Sequence, residues 1–176
     1  MRYAQIRKMD ISNGEGVGVA LFVQGCPFHC YNCFNRETWN FNEGKEWTES
    51  IEKRFFDLIN RNYIRRVSFL GGEPLADQNV SDMLRIIHKI RILFPDKKIW
   101  MYSGFTWEEI FNLTQKADSE IIEKRKEIIG QCDILVDGRY VDEQKDLALR
   151  WRGSANQRVI DVQESLFQSD IVLHCK

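Results

Sequence analysis

Proline is scarce in this chain, three residues in 176, and no repeat, proline- or serine-rich tract or low-complexity run divides it. That scarcity excludes a stiff proline-rich linker and leaves one domain over residues 1–176, a length that suits a sizeable core. Excess charge is missing too: 25 Lys and Arg stand against 26 Asp and Glu, a formal net charge of −1. A bulk basic surface for nucleic acid is thereby excluded, and so is the charge imbalance of a disordered chain. Long apolar runs are absent. The longest, such as Val17 to Val23, fall well short of the roughly 20 residues of a membrane-spanning helix. The opening residues, Met1 to Lys8, hold no apolar signal segment. The expectation is a cytoplasmic protein with neither membrane nor nucleic acid as partner. Cysteines number five, an odd count without a secretory signal, which argues against a disulfide framework and for metal or redox chemistry.

Three of those cysteines lie within eight residues, in Gly25-Cys26-Pro27-Phe28-His29-Cys30-Tyr31-Asn32-Cys33-Phe34-Asn35, spaced C-x3-C-x2-C. Thiolates are soft metal ligands, and holding three together without a cation is electrostatically unfavourable. A four-cysteine shell closes a metal site, whereas three leave one position open for chemistry. Three readings stand at this point: a [4Fe–4S] cluster with one open iron, a Cys3His zinc site completed by His29, His88 or His174, or a chance cluster. Zinc loops more often come as paired C-x2-C elements, and only one such pair is present. His29, between two ligands of a tight loop, suits a hydrogen bond that orients those ligands better than ligation itself. Cys132 and Cys175 are isolated and read as structural thiols.

The surrounding pattern alternates strands and helices. Tyr3–Lys8 reads as a short edge strand, and Val17–Val23 as a buried strand that delivers the chain into the cysteine loop. Thr48 caps a helix from Glu49 to about Arg61. Arg66–Leu70 is a strand ending in Gly71-Gly72-Glu73-Pro74, and a helix follows over about Asn79–Phe94. Lys98–Tyr102 is a strand ending in Ser103-Gly104. Thr106 and Glu109 have capping-box spacing. A helix over about Ser119–Ile129 leads to a strand at Asp133–Asp137, ended by Gly138-Arg139-Tyr140. Val159–Val162 is a short strand, and Ser165–Lys176 a turn and a final strand. This order predicts an α/β fold with a parallel sheet and outer helices. Right-handed crossovers then bring Cys26–Cys33, Gly71–Pro74, Ser103-Gly104 and Asp137–Arg139 to one rim. Eight full strand–helix units need about 250 residues, so the expected architecture is an incomplete TIM-type barrel of parallel strands, open on one side.

The cysteine motif after one strand and Gly71-Gly72-Glu73-Pro74 after the next resemble the radical S-adenosylmethionine (SAM) enzymes. Longer strings narrow the likeness: Asn13–Val17, Glu37-Thr38-Trp39, Tyr102–Glu109, Asp137–Tyr140 and Arg152-Gly153-Ser154-Ala155-Asn156-Gln157-Arg158. Together they resemble the glycyl-radical activating enzymes, specifically the family that activates anaerobic (class III) ribonucleoside-triphosphate reductase. The resemblance implies that Cys26, Cys30 and Cys33 hold the cubane and that SAM chelates the open iron. An external donor, flavodoxin or ferredoxin, would reduce the cluster. The resulting 5′-deoxyadenosyl radical would take hydrogen from a glycine of the reductase. It further implies SAM contacts from the Gly71-Gly72-Glu73 loop, from Ser103, and from Asp137 and Arg139. The fork geometry of arginine leaves three readings for Arg150, Arg152 and Arg158: SAM's carboxylate, the partner protein or only solvent. Radical SAM loops usually carry an aromatic before the third cysteine; here that residue is Asn32, so adenine would be held mainly by backbone. The alternatives are a small radical SAM enzyme acting on a small molecule, such as a deazapurine-forming synthase, and a non-catalytic zinc module. A nucleotide-binding regulator would need a Walker-type phosphate loop, which the sequence lacks.

Overall fold

All six residues of Gly18–Val23 are buried, because this strand (β2) is covered on both faces at the middle of the molecule. The structure is a computed structural model that describes residues 1–111 and 119–175. Its other strands are Arg2–Asp10 (β1), Lys45–Glu46 (β3), Arg66–Gly71 (β4), Lys98–Tyr102 (β5), Ile134–Asp137 (β6), Arg158–Asp161 (β7) and Leu173–Cys175 (β8). Helices span Glu49–Ile59 (α1), Asp77–Leu93 (α2), Trp107–Phe111 (α3), Ser119–Gly130 (α4) and Val162–Gln168 (α5). The strands form one open eight-stranded sheet in the order β3-β1-β2-β4-β5-β6-β7-β8.

The central four strands are parallel, with Val19 opposite Val67, Val67 opposite Ile99 and Met101 opposite Leu135. The chain returns between them through α1, α2 and then α3 and α4, as expected. Alternation then sorts the side chains. Val19, Leu21, Val67, Phe69, Ile99, Met101 and Leu135 face the helices and join Phe55, Ile59, Met83, Ile87 and Ile128 in the main core. Phe55 and Phe69 are fully buried there, each burial contributing about 1.5–3 kcal/mol. The opposite face carries two smaller apolar clusters, Trp100 with Val136 and Val159, and Ala20 with Phe22 and Leu70. Thr48 caps α1 by accepting from the Ile51 N–H, and Thr106 and Glu109 form the predicted reciprocal cap.

Three expectations are corrected. The sheet is mixed rather than parallel throughout: β1, β3, β7 and β8 all pair antiparallel. Residues 11–17 are too short for a crossover, which leaves β1 antiparallel to β2. No helix lies between β6 and β7, apart from a 3-10 turn at Asp142–Gln144. The chain therefore stays on the rim after Asp137 and descends antiparallel, Arg158 pairing with Asp137. Second, β1 is longer than Tyr3–Lys8 and is not an edge, since Arg2 and Tyr3 also pair with Glu46 and Lys45 of β3. Third, the expected turn after Ser165 falls inside α5, which Asp161 caps by accepting from the Glu164 N–H at 3.0 Å. Lys176, the last residue of the predicted final strand, lies outside the described residues. Among the described residues no helix is long and apolar enough to cross a membrane.

Candidate metal centre

The parallel order places the ends of β2, β4, β5 and β6 side by side, and their loops enclose a cavity of about 550 Å³. Cys26, Cys30 and Cys33 line it from the loop after β2, Gly71, Gly72 and Glu73 from the loop after β4, and Ser103 and Gly104 from the loop after β5. Gly138 and Arg139 follow β6, and Arg152 and Gly153 reach in from the segment before β7. The other expected site residues lie elsewhere. Asn32, Asp137, Arg150 and Arg158 are outside the lining. Arg150 is exposed. Asp137 is buried and accepts from the Trp107 N–H at 2.8 Å and from Arg158 Nε at 3.0 Å. Arg158 reaches on to Glu108, whose carboxyl it holds down at about 2.

The cysteine loop closes on itself. The Gly25 N–H donates to the Thr38 carbonyl at 2.7 Å, and the Cys26 N–H to the Trp39 carbonyl at 3.0 Å. Gln24 donates to the carbonyls of Glu37 and Asn40. All three thiols are free and partly buried. Burial pushes the Cys26 thiol up to about 11, against the N–H groups of Phe28 and His29 that favour its thiolate. Burial, together with the neighbouring Cys33, likewise raises Cys30, against the N–H of Tyr140. The Asn35 N–H donates to Cys33 Sγ at 3.4 Å. Three crowded thiols, two of them raised by burial and each beside a backbone donor, form a donor set that a cationic iron–sulfur centre would satisfy. Among the described residues no three His, Cys, Asp or Glu side chains gather closely enough for a single metal ion. His29 stacks on Trp39, His88 pairs with Glu127, and His174 packs on Trp100. Cys132 is fully buried and donates to the Ile128 carbonyl.

The Gly71-Gly72-Glu73-Pro74 loop is built against the cysteine loop. The Gly72 N–H donates to the Val23 carbonyl at 2.9 Å and the Glu73 N–H to the Gly25 carbonyl at 2.7 Å. Asn79 clamps both loops by donating to the carbonyls of Gln24 and Glu73, each at 3.0 Å. A Cβ at Gly72 would stand 2.4 Å from the Gly25 carbonyl oxygen. The glycine is thus required by the protein's own packing, whatever ligand approaches. Gly72→Ala is expected to destabilise the protein by about 1–3 kcal/mol, measured by the urea midpoint, because backbone on one side or the other must shift.

Glu73 is buried, 1 % exposed, and its carboxylate joins two rim loops. It accepts from the Leu75 N–H at 2.9 Å, from Ser103 Oγ at 2.8 Å and from the Gly104 N–H at 2.7 Å. Ser103 in turn accepts from the Phe105 N–H at 3.1 Å. Burial raises the Glu73 carboxyl to about 7, against those donors and Arg125. Because the folded value lies above the unfolded one, its contribution is complete below about pH 4.5 and declines as pH rises to about 7. Stability should therefore fall by up to ~3 kcal/mol across that window. Glu73→Gln should flatten the slope while lowering stability at pH 5 by about 1–3 kcal/mol, its amide confronting the Gly104 donor. Urea titrations at pH 5 and 7 read both effects.

Several residues of the site carry no motif in the sequence. Phe28 forms one wall, 4.8 Å from the Phe105 ring and 4.5 Å from the Arg139 guanidinium. Arg125 reaches from α4 to the Leu75 carbonyl at 2.8 Å and to Asp77, and lies 4.2 Å over Phe105. Asp142 bridges the cysteine loop and the segment after β6. The Arg152–Arg158 string folds as a clasp around Gln157. The Gln157 side chain accepts from the N–H groups of Gly153 and Ser154 and donates to the Gly138 carbonyl.

Comparison with known proteins agrees with this geometry. A family model described as a 4Fe-4S single cluster domain matches residues 12–160. The chain is 37 % identical over 161 residues to the anaerobic ribonucleoside-triphosphate reductase-activating protein of Escherichia coli (strain K12), covering 90 % of this chain and 97 % of that one. Its identity to the protein of that name from Vibrio cholerae is 33 % over 159 residues, 89 % of this chain and 96 % of the other. For the one from Enterobacteria phage T4 it is 32 % over 172 residues, 97 % of this chain and all of the phage protein. With a cysteine-lined rim cavity inside the matched region and near end-to-end similarity, the chain belongs to the family of anaerobic ribonucleoside-triphosphate reductase-activating proteins.

Proposed function

We propose that this chain is a radical SAM activase that installs a glycyl radical on an anaerobic ribonucleoside-triphosphate reductase, working as one domain in the cytoplasm. The observation that carries the reading is the single cavity shared by Cys26, Cys30, Cys33, Gly71, Gly72, Ser103 and Arg139. Cys26, Cys30 and Cys33 would hold a [4Fe–4S] cluster, with SAM between them and the Gly71–Ser103 side. Bound there, cluster and SAM supply one-electron reductive cleavage of the sulfonium and, from it, hydrogen abstraction. The protein's own contribution is positioning. Backbone N–H groups beside the Cys26 and Cys30 thiols favour their thiolate forms. Arg139 and Arg152 bring positive charge to the lining for a carboxylate. Apolar Phe22, Leu70 and Phe28 exclude water from the floor. Glu73, with no oxygen left facing the cavity unbonded, holds the rim together more than it contacts a ligand.

The mouth supports a protein substrate. Phe34 and Leu147 line the cavity yet are 55 % and 83 % exposed, an apolar entrance suited to a polypeptide segment. We read the open sheet as a partial barrel curved around that entrance, and flavodoxin or ferredoxin as the electron donor. The test is isotopic. A reductase deuterated at glycine Cα should transfer deuterium into 5′-deoxyadenosine and develop a glycyl radical signal. SAM cleavage with deuterium transfer only from a small molecule would instead assign the chain to small-molecule chemistry.

A further inference from the structure

The turn between Cys30 and Cys33 is closed by the Cys33 N–H donating to the Cys30 carbonyl at 3.1 Å, with Asn32 in the left-handed region at φ 53°. A short side chain that tolerates this region is needed there, but the turn itself supplies nothing that fixes the side chain. A distant residue does. Asn32 Nδ2 donates to Asp142 Oδ2 at 2.9 Å, and Asp142 Oδ1 accepts from Tyr140 Oη at 2.6 Å. Two further contacts join the same partners. The Tyr140 ring packs 5.1 Å from Phe34, and the Tyr140 N–H lies beside the Cys30 thiol. Lys145 Nζ lies 5.2 Å from the centre of the Phe34 ring, and a Cβ at Gly153 would stand 3.1 Å from that ring. The segment after β6 is thus a second wall for the cysteine loop.

We propose that Asp142 is a positioning residue for the metal centre, a latch that holds the Cys30–Cys33 turn through Asn32 and Tyr140. The inference rests on the reading of that loop as the cluster's holder. Asp142 does not touch the cavity; it acts through Asn32 on the spacing of two thiols and through Tyr140 on the backbone donor beside one of them. Its carboxylate accepts from both neighbours at once, which no alanine and only imperfectly an amide reproduces. The exposed position of the Asn32 contact makes the latch an ordering device for a loop rather than a support of the whole fold.

The test has two readouts on the full chain. In the metal-free protein, mass spectrometry follows the alkylation rate of each cysteine. Asp142→Ala and Asn32→Asp should each raise the rates at Cys30 and Cys33 roughly threefold to tenfold. The rate at Cys175 and the melting temperature should stay unchanged. In the reconstituted protein, the same variants should lose the cluster to a chelator faster by a similar factor. The exchange pair, Asn32→Asp with Asp142→Asn, reverses donor and acceptor and should restore both rates. Unchanged alkylation in both single variants, or failure of the exchange to rescue, would overturn the latch. A wild-type protein that takes up no cluster would defeat the proposed function instead, and the alkylation rates would still decide the role of Asp142.

Discussion

Alanine at any one of Cys26, Cys30 or Cys33 is expected to leave the fold intact and remove the cluster, with SAM cleavage lowered by at least roughly 100-fold. The three sulfurs come from one self-closed loop and line one cavity, and no fourth cysteine is near enough to substitute. Cys132 is sealed in the helix-side core and Cys175 belongs to β8 at the far edge of the sheet. Each of the three thiols is only partly buried, so metal-free stability should hold within about 1 kcal/mol. Iron content and absorption after anaerobic reconstitution check the first expectation, and urea unfolding of the metal-free variants the second. Cys175→Ala serves as the control that retains the cluster.

The largest effect on stability is expected at Arg66. It is fully buried on the cavity side of β4, where its guanidinium meets Asp10 Oδ1 at 2.7 Å, the Asp10 carbonyl at 3.0 Å and Ser68 Oγ at 2.6 Å. Ser68 passes the network on to the Asn13 carbonyl, and Asp10 also accepts from the Asn13 N–H and side-chain amide. Burial pushes the Asp10 carboxyl up, but Arg66 and Asn13 more than offset it and hold it below its usual value. Arg66→Leu would leave that carboxylate buried without its close counter-charge, with only Asn13 and a half-exposed Arg7 at 3.8 Å beside it, a loss of about 3–5 kcal/mol. For a chain of this size it corresponds to a fall in Tm of roughly 6–20 °C. Asn13 lines the cavity, so the damage should extend to the rim between β1 and β2. The double variant Asp10→Asn with Arg66→Leu should recover much of the loss, since the unpaired charge is then gone. Thermal unfolding of the three proteins measures it.

Much of the site was readable because its signals are local. C-x3-C-x2-C needs only spacing, and the apolar runs ending at Val23, Leu70, Tyr102 and Asp137 mark parallel strands whose ends must meet. Strand direction beyond β6 was not readable, since an apolar run such as Val159–Val162 has the same period in either direction. That run also masked the cap at Asp161 and Glu164 that begins α5. Glycines at 71 and 72 announce a close approach without naming what approaches; the answer is Phe22 for the first and the Gly25 carbonyl for the second. Glu73 reads as a charge offered to a ligand until Ser103 and Gly104 fold onto it. Arg66 looks like a surface residue opening a strand. Asp142 lies in a polar loop 110 residues from Asn32, and no periodicity connects residues that far apart.

Anaerobic reconstitution followed by incubation with SAM, a reductant and an anaerobic ribonucleoside-triphosphate reductase tests the central claim most directly. The account predicts a brown protein with a cubane's complement of iron, bound through Cys26, Cys30 and Cys33. It also predicts SAM cleavage and a glycyl radical signal on the reductase that Cys33→Ala abolishes. A colourless protein, or one that binds iron and cleaves SAM yet leaves the reductase without a radical, would contradict it.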